Sequence, residues 1–269
     1  MGIRYFSEWT KYSCYTLQQH KEKGTHVTCA HASELVTYDP FCCADDILLE
    51  TLAIGKDTGS AKLELRVLDF CNRYGLLGFG QAVIEKEYEN STAKLYVDNV
   101  FGEKLISNQQ LMGFIFPFDK YSHRVKKREQ MPITMRWEVD CELRGCEWPI
   151  FDARYAERVE WIAYYARCLY DTLLRFHRKQ PLDFPLGNVK CRLNYDGTAK
   201  IIWQYDSLKS AIDIMFVGLL QQSLPTIRLC KRCLSPFEVA TGTRALYCSV
   251  SCRNVENVAR SRQRKKAAD

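Results

Sequence analysis

Long apolar runs are missing from this sequence of 269 residues, which argues against a membrane-spanning helix. The longest apolar run, residues 211–220, is about half as long as the roughly 18 residues that a span needs, and it contains Asp213. The first twelve residues, MGIRYFSEWTKY, lack the apolar core of a secretory signal peptide. Thirteen cysteines, an odd number, then predict a reducing compartment and no complete disulfide framework. We therefore expect a cytoplasmic protein that has no membrane partner.

Histidine is scarce, and recognisable catalytic motifs are missing as well. The chain has five histidines, the last of them His177, and none lies in a known nucleophile motif. The glycine-rich segment GLLGFG at residues 75–80 follows a predicted helix, whereas a phosphate-binding loop would follow a strand. We interpret this segment as a helix C-cap and a turn. Because no set of residues supplies a nucleophile, a base and oxyanion donors together, we predict that the protein is not an enzyme.

Four cysteines near the C-terminus form the most informative pattern in the chain. Cys230-Lys-Arg-Cys233 is followed, after fourteen residues, by Cys248-Ser-Val-Ser-Cys252. Two closely spaced cysteine pairs joined by one loop can supply the four soft ligands of a tetrahedral zinc ion. A Ser-Pro pair favours a turn after Cys233. The second cysteine pair opens a predicted helix, and because Cys248 and Cys252 are four residues apart, both are expected on one face of its first turn. A knuckle at residues 229–237, a short hairpin and a helix, in this order, predict a treble-clef zinc module. The alternative is that the four thiols bind no metal.

The ligand type indicates what the zinc does. Four thiolates fill the tetrahedral coordination sphere and leave no open position for water or a substrate. A catalytic zinc keeps such a position, usually with histidine or carboxylate ligands, and no histidine follows His177. We therefore predict one structural zinc ion, whose binding free energy of about 10–16 kcal/mol contributes to the folding of the module.

Positive charge is concentrated in residues 225–269. This segment has ten lysines and arginines against three acids, a net charge of +7, whereas the whole chain carries +6 and residues 1–224 carry −1. After Val258 the predicted helix is basic on all sides and has no apolar face to pack on a core. Such charge on a zinc-held helix is typical of phosphate-backbone binding, and a solubilising tail is the alternative. The predicted nucleic-acid contacts are Lys231, Arg232, Arg244, Arg253, Arg260, Arg262, Arg264, Lys265 and Lys266.

Residues 1–224 are predicted to form one α+β domain of helices and antiparallel strands, followed by the zinc module at residues 225–269. Apolar spacing and capping residues predict helices at residues 44–54, 60–74, 153–178 and 207–222. The second helix is expected to bury Leu63, Val67, Phe70 and Cys71. The third is expected to bury Val159, Ile162, Ala163, Ala166, Leu169, Leu173 and Leu174. Residues 81–101 are predicted to form two strands about a Glu89-Asn90-Ser91 turn, and further strand patterns occur at residues 111–118 and 133–139. Asp196-Gly197 predicts the tip of a hairpin over residues 190–205.

Further potential metal ligands lie near the N-terminus, in what the sequence suggests is an irregular loop. His26, Cys29 and His31 have metal-like spacing, and Cys42 and Cys43 follow them. A second zinc site is one interpretation of this group. Buried structural cysteines that come together by chance in sequence are the other.

The C-terminal segment resembles the CGNR-type zinc finger of bacterial proteins. The shared features are Cys-x-x-Cys, Pro-Phe, then Tyr247-Cys248-Ser249-x-x-Cys252-Arg253-Asn254 and a basic helix. In that family the finger follows an N-terminal domain of the ABATE type. The segment VLDFCNRYGLLG at residues 67–78 is similar to a short sequence motif of such domains. The resemblance implies a stress-induced regulator of transcription that binds DNA. The Gly and final Arg of the family's name are replaced here by Arg253 and Val255.

These features predict a zinc-dependent nucleic-acid-binding protein, with DNA favoured over RNA. The zinc-held helix would lie in a groove, where Arg253, Arg260 and Arg264 reach phosphates or base edges. The alternative is a non-catalytic subunit that grips nucleic acid within a larger bacterial defence or CRISPR-type ribonucleoprotein complex, with other protein subunits as partners. A repressor is expected to be a homodimer that binds a palindromic site, whereas a complex subunit is expected to expose apolar patches.

Overall fold

The computed structural model describes most of the chain outside residues 80–150. It covers residues 6–79, 84–85, 92–97, 102–107, 116–118 and 151–266, except 185, 187–188, 196, 224 and 241–244. In these residues helices combine with antiparallel sheets, which confirms the predicted α+β class. The strand predicted at 133–139 and most of the one predicted at 111–118 lie outside the described residues.

The helices are named here in chain order. A 3-10 helix (Pro40–Cys43) leads directly into the first of them, and the others follow as α1 (Ala44–Lys56), α2 (Leu63–Tyr74), α3 (Val159–His177), α4 (Leu208–Gln221) and α5 (Val250–Lys266). None of these described helices combines the length and the apolar character needed to cross a membrane.

The strands form five small antiparallel sheets among the described residues. They are β1 (Trp9–Tyr12), β2 (Tyr15–His20), β3 (Gly24–Cys29), β4 (Leu35–Tyr38), β5 (Ile84–Glu85), β6 (Thr92–Val97), β7 (Gly102–Ser107), β8 (Ala156–Arg158), β9 (Val189–Tyr195), β10 (Ala199–Tyr205), β11 (Ile227–Leu229) and β12 (Pro236–Glu238). The sheet orders are β1-β4, β2-β3-β8, β5-β6-β7, β10-β9 and β11-β12. The predicted hairpins over residues 81–101 and 190–205 are present as β5-β6 and β9-β10, and Gly197 has a φ of +94° in the turn of the second.

The N-terminal segment that the sequence suggests is an irregular loop is partly formed by strands: His26 and Cys29 belong to β3, whereas His31 lies in the turn after β3. β2 and β3 pair as a hairpin, with Leu17 opposite Val27, and β8 adds to the other edge of β3. Val27 and His26 are both buried, so this strand does not show the simple alternation of a sheet with one solvated face. For His26 and Cys29 the prediction of a loop is wrong, because burial on both sides of the strand removes the alternation by which a strand is recognised.

The core lies where α1, α2, α3 and α4 pack together. On α2, Val67, Phe70 and Cys71 are buried as predicted, and Leu63, on the same predicted face, is half-buried against the core. Most of the predicted apolar face of α3 is buried too, namely Val159, Ile162, Ala163, Ala166, Leu169 and Leu173. Two predicted helix starts are too early: α2 begins at Leu63 after a turn at residues 60–62, and residues 156–158 form β8 before α3 begins.

The glycine-rich segment after α2 surrounds a buried carboxylate. Gly75 has a φ of +91° and its N–H donates to the carbonyl of Cys71, so it ends α2 as predicted. The next backbone N–H groups, those of Leu77, Gly78 and Phe79, donate to Glu157 over 2.7–2.9 Å. These donors bind a carboxylate of the same chain, which ties the segment to β8.

Candidate metal centre

The four predicted zinc ligands come together in space. The Sγ atoms of Cys230, Cys233, Cys248 and Cys252 all lie within 4.8 Å of one another. Cys248 Sγ is 3.6 Å from both Cys233 Sγ and Cys252 Sγ. A disulfide would place two sulfurs at about 2.05 Å. A tetrahedral ion with metal–sulfur bonds of about 2.3 Å separates its ligands by about 3.8 Å. The cysteines are therefore positioned to hold a metal ion.

A tight turn between two strands positions the first cysteine pair. β11 ends just before Cys230 and β12 begins at Pro236, so the two strands flank the knuckle. The N–H of Cys230 donates to the carbonyl of Ser235 and the N–H of Leu234 to that of Cys230. Leu234 has a φ of +59°, a left-handed conformation that the turn imposes on a residue other than glycine. Both thiols consequently point to the same side of the strand pair.

The second cysteine pair is positioned by the start of α5. Cys252 lies in the first turn, and Cys248 lies two residues before Val250, where α5 begins, so the expectation that both belong to the first helical turn holds for Cys252 only. The hydroxyl of Ser249 accepts from the N–H of Cys252, and its carbonyl accepts from the N–H of Arg253. Ser249 thus caps the helix between the two ligands.

Hydrogen bonds favour the thiolate form of the first pair. The hydroxyl of Ser235 lies 3.3 Å from Cys233 Sγ and lowers the pKa of that thiol to about 6. Burial opposes the ionisation of Cys230, but backbone N–H groups outweigh it and the pKa is lowered. Burial, followed by its thiol neighbours, raises the pKa of Cys248. A thiolate is the ligand form of cysteine, so the knuckle is the part of the site prepared to bind a cation.

The knuckle is attached to the main domain by polar contacts. The ammonium of Lys56, the last residue of α1, donates to Ser235 Oγ over 2.6 Å, on the same side chain that contacts Cys233. The hydroxyl of Tyr170 in α3 donates to the carbonyl of Leu234 over 3.0 Å. Four thiolates around a divalent ion carry a net charge of −2, which the nearby Lys56 partly offsets. Sequence reasoning missed both Lys56 and Tyr170, since no motif connects them to the cysteines.

The predicted nucleic-acid contacts lie mostly on α5. Every described side chain from Val250 to Arg264 is exposed or half-buried. The half-buried ones, Cys252, Glu256 and Ala259, recur at helical spacing on one face. Lys231 and Arg232 are exposed on the knuckle. Lys265 and Lys266 belong to the last turn of α5, and Arg244 lies outside the described residues.

One stripe of α5 combines arginine and asparagine. At 100° per residue, Arg253, Asn257, Arg260 and Arg264 fall within about 60° of one another. Arg262 falls on a different face, beside Val255 and Val258. The guanidinium of Arg260 lies 3.2 Å from the hydroxyl of Tyr247 and 3.4 Å from Glu256 Oε1. The stripe thus has one arginine held by its neighbours.

The N-terminal group of potential ligands does not form a second site. Among the described residues, the C-terminal four-cysteine cluster is the single group able to hold a metal. The His26 ring is buried, and its Nδ1 donates to the carbonyl of Gly24. The thiols of Cys29 and Cys43 lie beside backbone carbonyls of their own turns. The described residues therefore support the other interpretation of this group, in which β3 holds His26 and Cys29 in a sheet.

Comparisons with models of protein families, with curated proteins and with solved structures find nothing that matches this chain. The resemblance to the CGNR-type finger and the ABATE-type domain accordingly rests on sequence features alone. Of these features, the structure supports the cluster of four cysteines.

Proposed function

We propose that this protein binds one structural zinc ion and uses the helix that follows it to bind nucleic acid, with duplex DNA as the preferred target. The observation that carries the proposal is the combination in α5 of a first turn that holds a metal ligand with a basic, solvent-exposed remainder. A like-charged helix that packs on no core is stabilised when phosphates neutralise it. The proposed role is binding, without a catalytic step, in the cytoplasm.

Zinc is the metal that suits this ligand set. Thiolates are soft ligands, and four of them at tetrahedral corners favour zinc over the hard cations that prefer oxygen. Cys230, Cys233, Cys248 and Cys252 would hold the ion. The bound zinc would supply a structural cross-link between the knuckle and the start of α5.

The choice of duplex DNA rests on the shape of the helix. The stripe from Arg253 to Arg264 extends over about 16 Å at 1.5 Å per residue. The major groove of B-form DNA admits an α-helix, whereas the major groove of A-form RNA is too deep and narrow for side chains to read. Arginine and asparagine are also the side chains that most often contact guanine and adenine edges. Lys231 and Arg232 on the knuckle would contact phosphates beside the groove.

The zinc part of the proposal is tested by replacing a ligand. Cys233→Ser and Cys248→Ser are expected to lose the bound zinc, unfold the module and abolish nucleic-acid binding, while residues 1–224 stay folded. Elemental analysis gives the zinc content, and circular dichroism checks the fold. A variant that binds DNA as well as the native protein while holding no zinc would contradict the proposal.

The nucleic-acid part is tested by fluorescence anisotropy with duplex DNA, single-stranded DNA and RNA over a salt series. The full chain is compared with a chain that stops after Val258. About five phosphate contacts predict a slope of log affinity against log salt near −4 to −5 on duplex DNA, which truncation should largely remove. If neither chain binds any of the three polymers, the proposal is wrong and α5 has another partner.

Matched single substitutions test which side of α5 faces the DNA. Arg253→Ala and Arg264→Ala, on the stripe, are expected to weaken duplex binding by about 1–3 kcal/mol each where they contact bases. Arg262→Ala removes the same charge from the other face and should cost less. Equal losses at all three positions would indicate binding by net charge without a preferred face.

A further inference from the structure

The hairpin of β9 and β10 has one apolar and one basic face. The register pairs Leu193 with Ile201 and Cys191 with Trp203, and paired residues lie on the same face of a two-stranded sheet. The opposite face carries Lys190, Arg192, Asn194 and Lys200, together with Gln204 and the half-buried Ile202. The hairpin is therefore amphipathic, like a strand pair that covers a core.

The apolar face is nevertheless exposed to solvent. Leu193 is 71% exposed, Tyr195 at the tip is 83% exposed and Ile201 is 56% exposed. Single exposed apolar residues are common, but three large ones side by side on one sheet face form a patch of the kind that marks an interaction site. Burying each of them would contribute about 1.5–3 kcal/mol in the limit of full burial.

The same face continues into an apolar groove at the base of the hairpin. The groove is lined by Val189 and Trp203 of the hairpin and, among other residues, by Leu48 of α1 and Met215 of α4. Its volume is about 420 Å³, enough to receive more than one large side chain. The protein thus has an apolar projection at the tip of the hairpin and an apolar hollow at its base.

The projection and the hollow are arranged to fit a second copy of the chain. Tyr195 lies six positions after Val189 in β9, a distance of about 20 Å along a strand. A two-fold axis near Leu193 would place the tip of each hairpin over the groove of the other copy. Two-fold contacts use the same patch on both molecules, so a surface that holds both complementary parts satisfies the symmetry.

We propose that this protein forms a two-fold symmetric homodimer through the apolar face of the β9-β10 hairpin, with Tyr195 of each copy seated in the groove of the other. The exposed parts of the hairpin face and the groove walls amount to roughly 600 Å² per copy, near the lower end of the range for stable interfaces. The basic faces of two copies would repel each other, so the apolar face is the one that forms the interface. This proposal does not depend on nucleic-acid binding.

The test is the mass of the full chain in solution, by sedimentation velocity over concentrations up to about 100 µM, where even a micromolar dimer is complete. The native protein is expected at twice the 31.3 kDa of the chain. Leu193→Asp should give a monomer, because two carboxylates would meet at the two-fold axis. Arg192→Asp, the neighbouring residue on the basic face, is the matched control and should remain a dimer.

A mixture of variants separates loss of the interface from loss of the fold. Leu193→Lys alone should also be monomeric, whereas an equal mixture of Leu193→Asp and Leu193→Lys should recover a dimer through opposite charges. Tyr195→Asp, at the most exposed position of the face, is a second variant that should weaken the dimer while leaving the circular dichroism spectrum unchanged.

The proposal is overturned by any of three results. The first is a native chain that sediments as a monomer at every concentration, which would mean that a different protein binds the apolar face. The second is a Leu193→Asp variant that dimerises as well as Arg192→Asp. The third is an equal mixture of Leu193→Asp and Leu193→Lys that stays monomeric. A dimer that Leu193→Asp abolishes and the mixture restores would establish the interface.

Discussion

At the scale of single residues, Ser235 connects the metal site to the rest of the protein. Its hydroxyl lies beside Cys233 Sγ and accepts from Lys56, so it can direct its own proton toward the sulfur. Groups that hydrogen-bond to metal ligands typically change affinity by about 10–100-fold when they are removed. Ser235 is therefore the most informative position outside the ligands themselves.

We expect Ser235→Ala to weaken zinc binding by about 10-fold, since the Cys233 thiolate loses a donor and Lys56 loses its contact. Competition with a chromogenic chelator measures the affinity. Ser261→Ala, an exposed serine on α5, is the control and should change nothing. Equal zinc affinity in the two variants would show that Ser235 does not support the ligand.

His26 is expected to make stability depend on pH. Burial lowers the pKa of His26 to about 4, from about 6.5 for an exposed imidazole. Between these values the unfolded chain binds a proton that the folded chain excludes. The stability that is present above pH 6.5 is therefore lost as the pH falls toward 4, by at most about 1.4 kcal/mol per pH unit.

His26→Asn should reduce this dependence, because the asparagine amide can still donate to the carbonyl of Gly24 but does not titrate. Urea unfolding at pH 7 and pH 5 gives the difference in stability for each protein. His31→Asn, at an exposed position, should keep the native difference. A His26→Asn variant with the native pH dependence would locate the titrating group elsewhere.

The residues of the site were predictable to different degrees. All four cysteines follow from spacing, because zinc geometry leaves few arrangements for two closely spaced pairs. Lys56 and Tyr170 could not be predicted, since they reach the knuckle through the packing of α1 and α3 and leave no local signal. The group at His26 shows the opposite case, because its metal-like spacing in sequence belongs to residues that a strand register places in a sheet.

At the scale of elements, the helices and hairpins with a strong local pattern are where the sequence predicts them. The Ser207 hydroxyl caps α4 by accepting from the N–H of Ser210, and Gly75 ends α2. Helix starts were less predictable. Residues 156–158 have helical neighbours, but their pairing with β3 decides in favour of a strand, and that pairing is not visible in a local pattern.

The contact between α1 and α3 depends on Gly55. A Cβ atom at this position would lie 2.0 Å from the carbonyl oxygen of Ala166, which is backbone and cannot rotate away. Gly55→Ala should therefore separate the two helices and lower the free energy of unfolding by about 1–3 kcal/mol, despite the better helix propensity of alanine.

Urea unfolding of Gly55→Ala tests this packing, with Gly59→Ala as the control. A Cβ atom at Gly59 would meet nothing within 4 Å, so the same change there should be nearly neutral. Because α1 ends at Lys56, the displaced helix should also weaken zinc binding. Similar stabilities for the two variants would mean that α1 and α3 do not pack as closely as described.

At the scale of the whole molecule, the zinc module and the main domain share contacts. Ile227 and Leu229 of β11 are buried in the same core as the helices of the main domain. Thr226 Oγ1 donates to Asp45 near the start of α1 over 3.0 Å, whereas Lys56 at the end of the same helix and Tyr170 of α3 contact the knuckle. The division into residues 1–224 and 225–269 stays a prediction, and these contacts make the two parts energetically dependent on each other.

Two changes at the C-terminal end of the chain should consequently have different effects on unfolding. Removing zinc with a chelator loosens the knuckle, on which β11, Lys56 and Tyr170 depend, so the main transition should move to a lower temperature. Stopping the chain after Val258 removes the exposed part of α5, which buries little, so the same transition should stay where it is. Differential scanning calorimetry measures both. If chelation leaves the main transition unchanged, the zinc module folds independently and the shared core residues do not couple it to the main domain. If chelation and truncation lower the transition temperature equally, α5 packs on the main domain in solution and is not free to enter a groove.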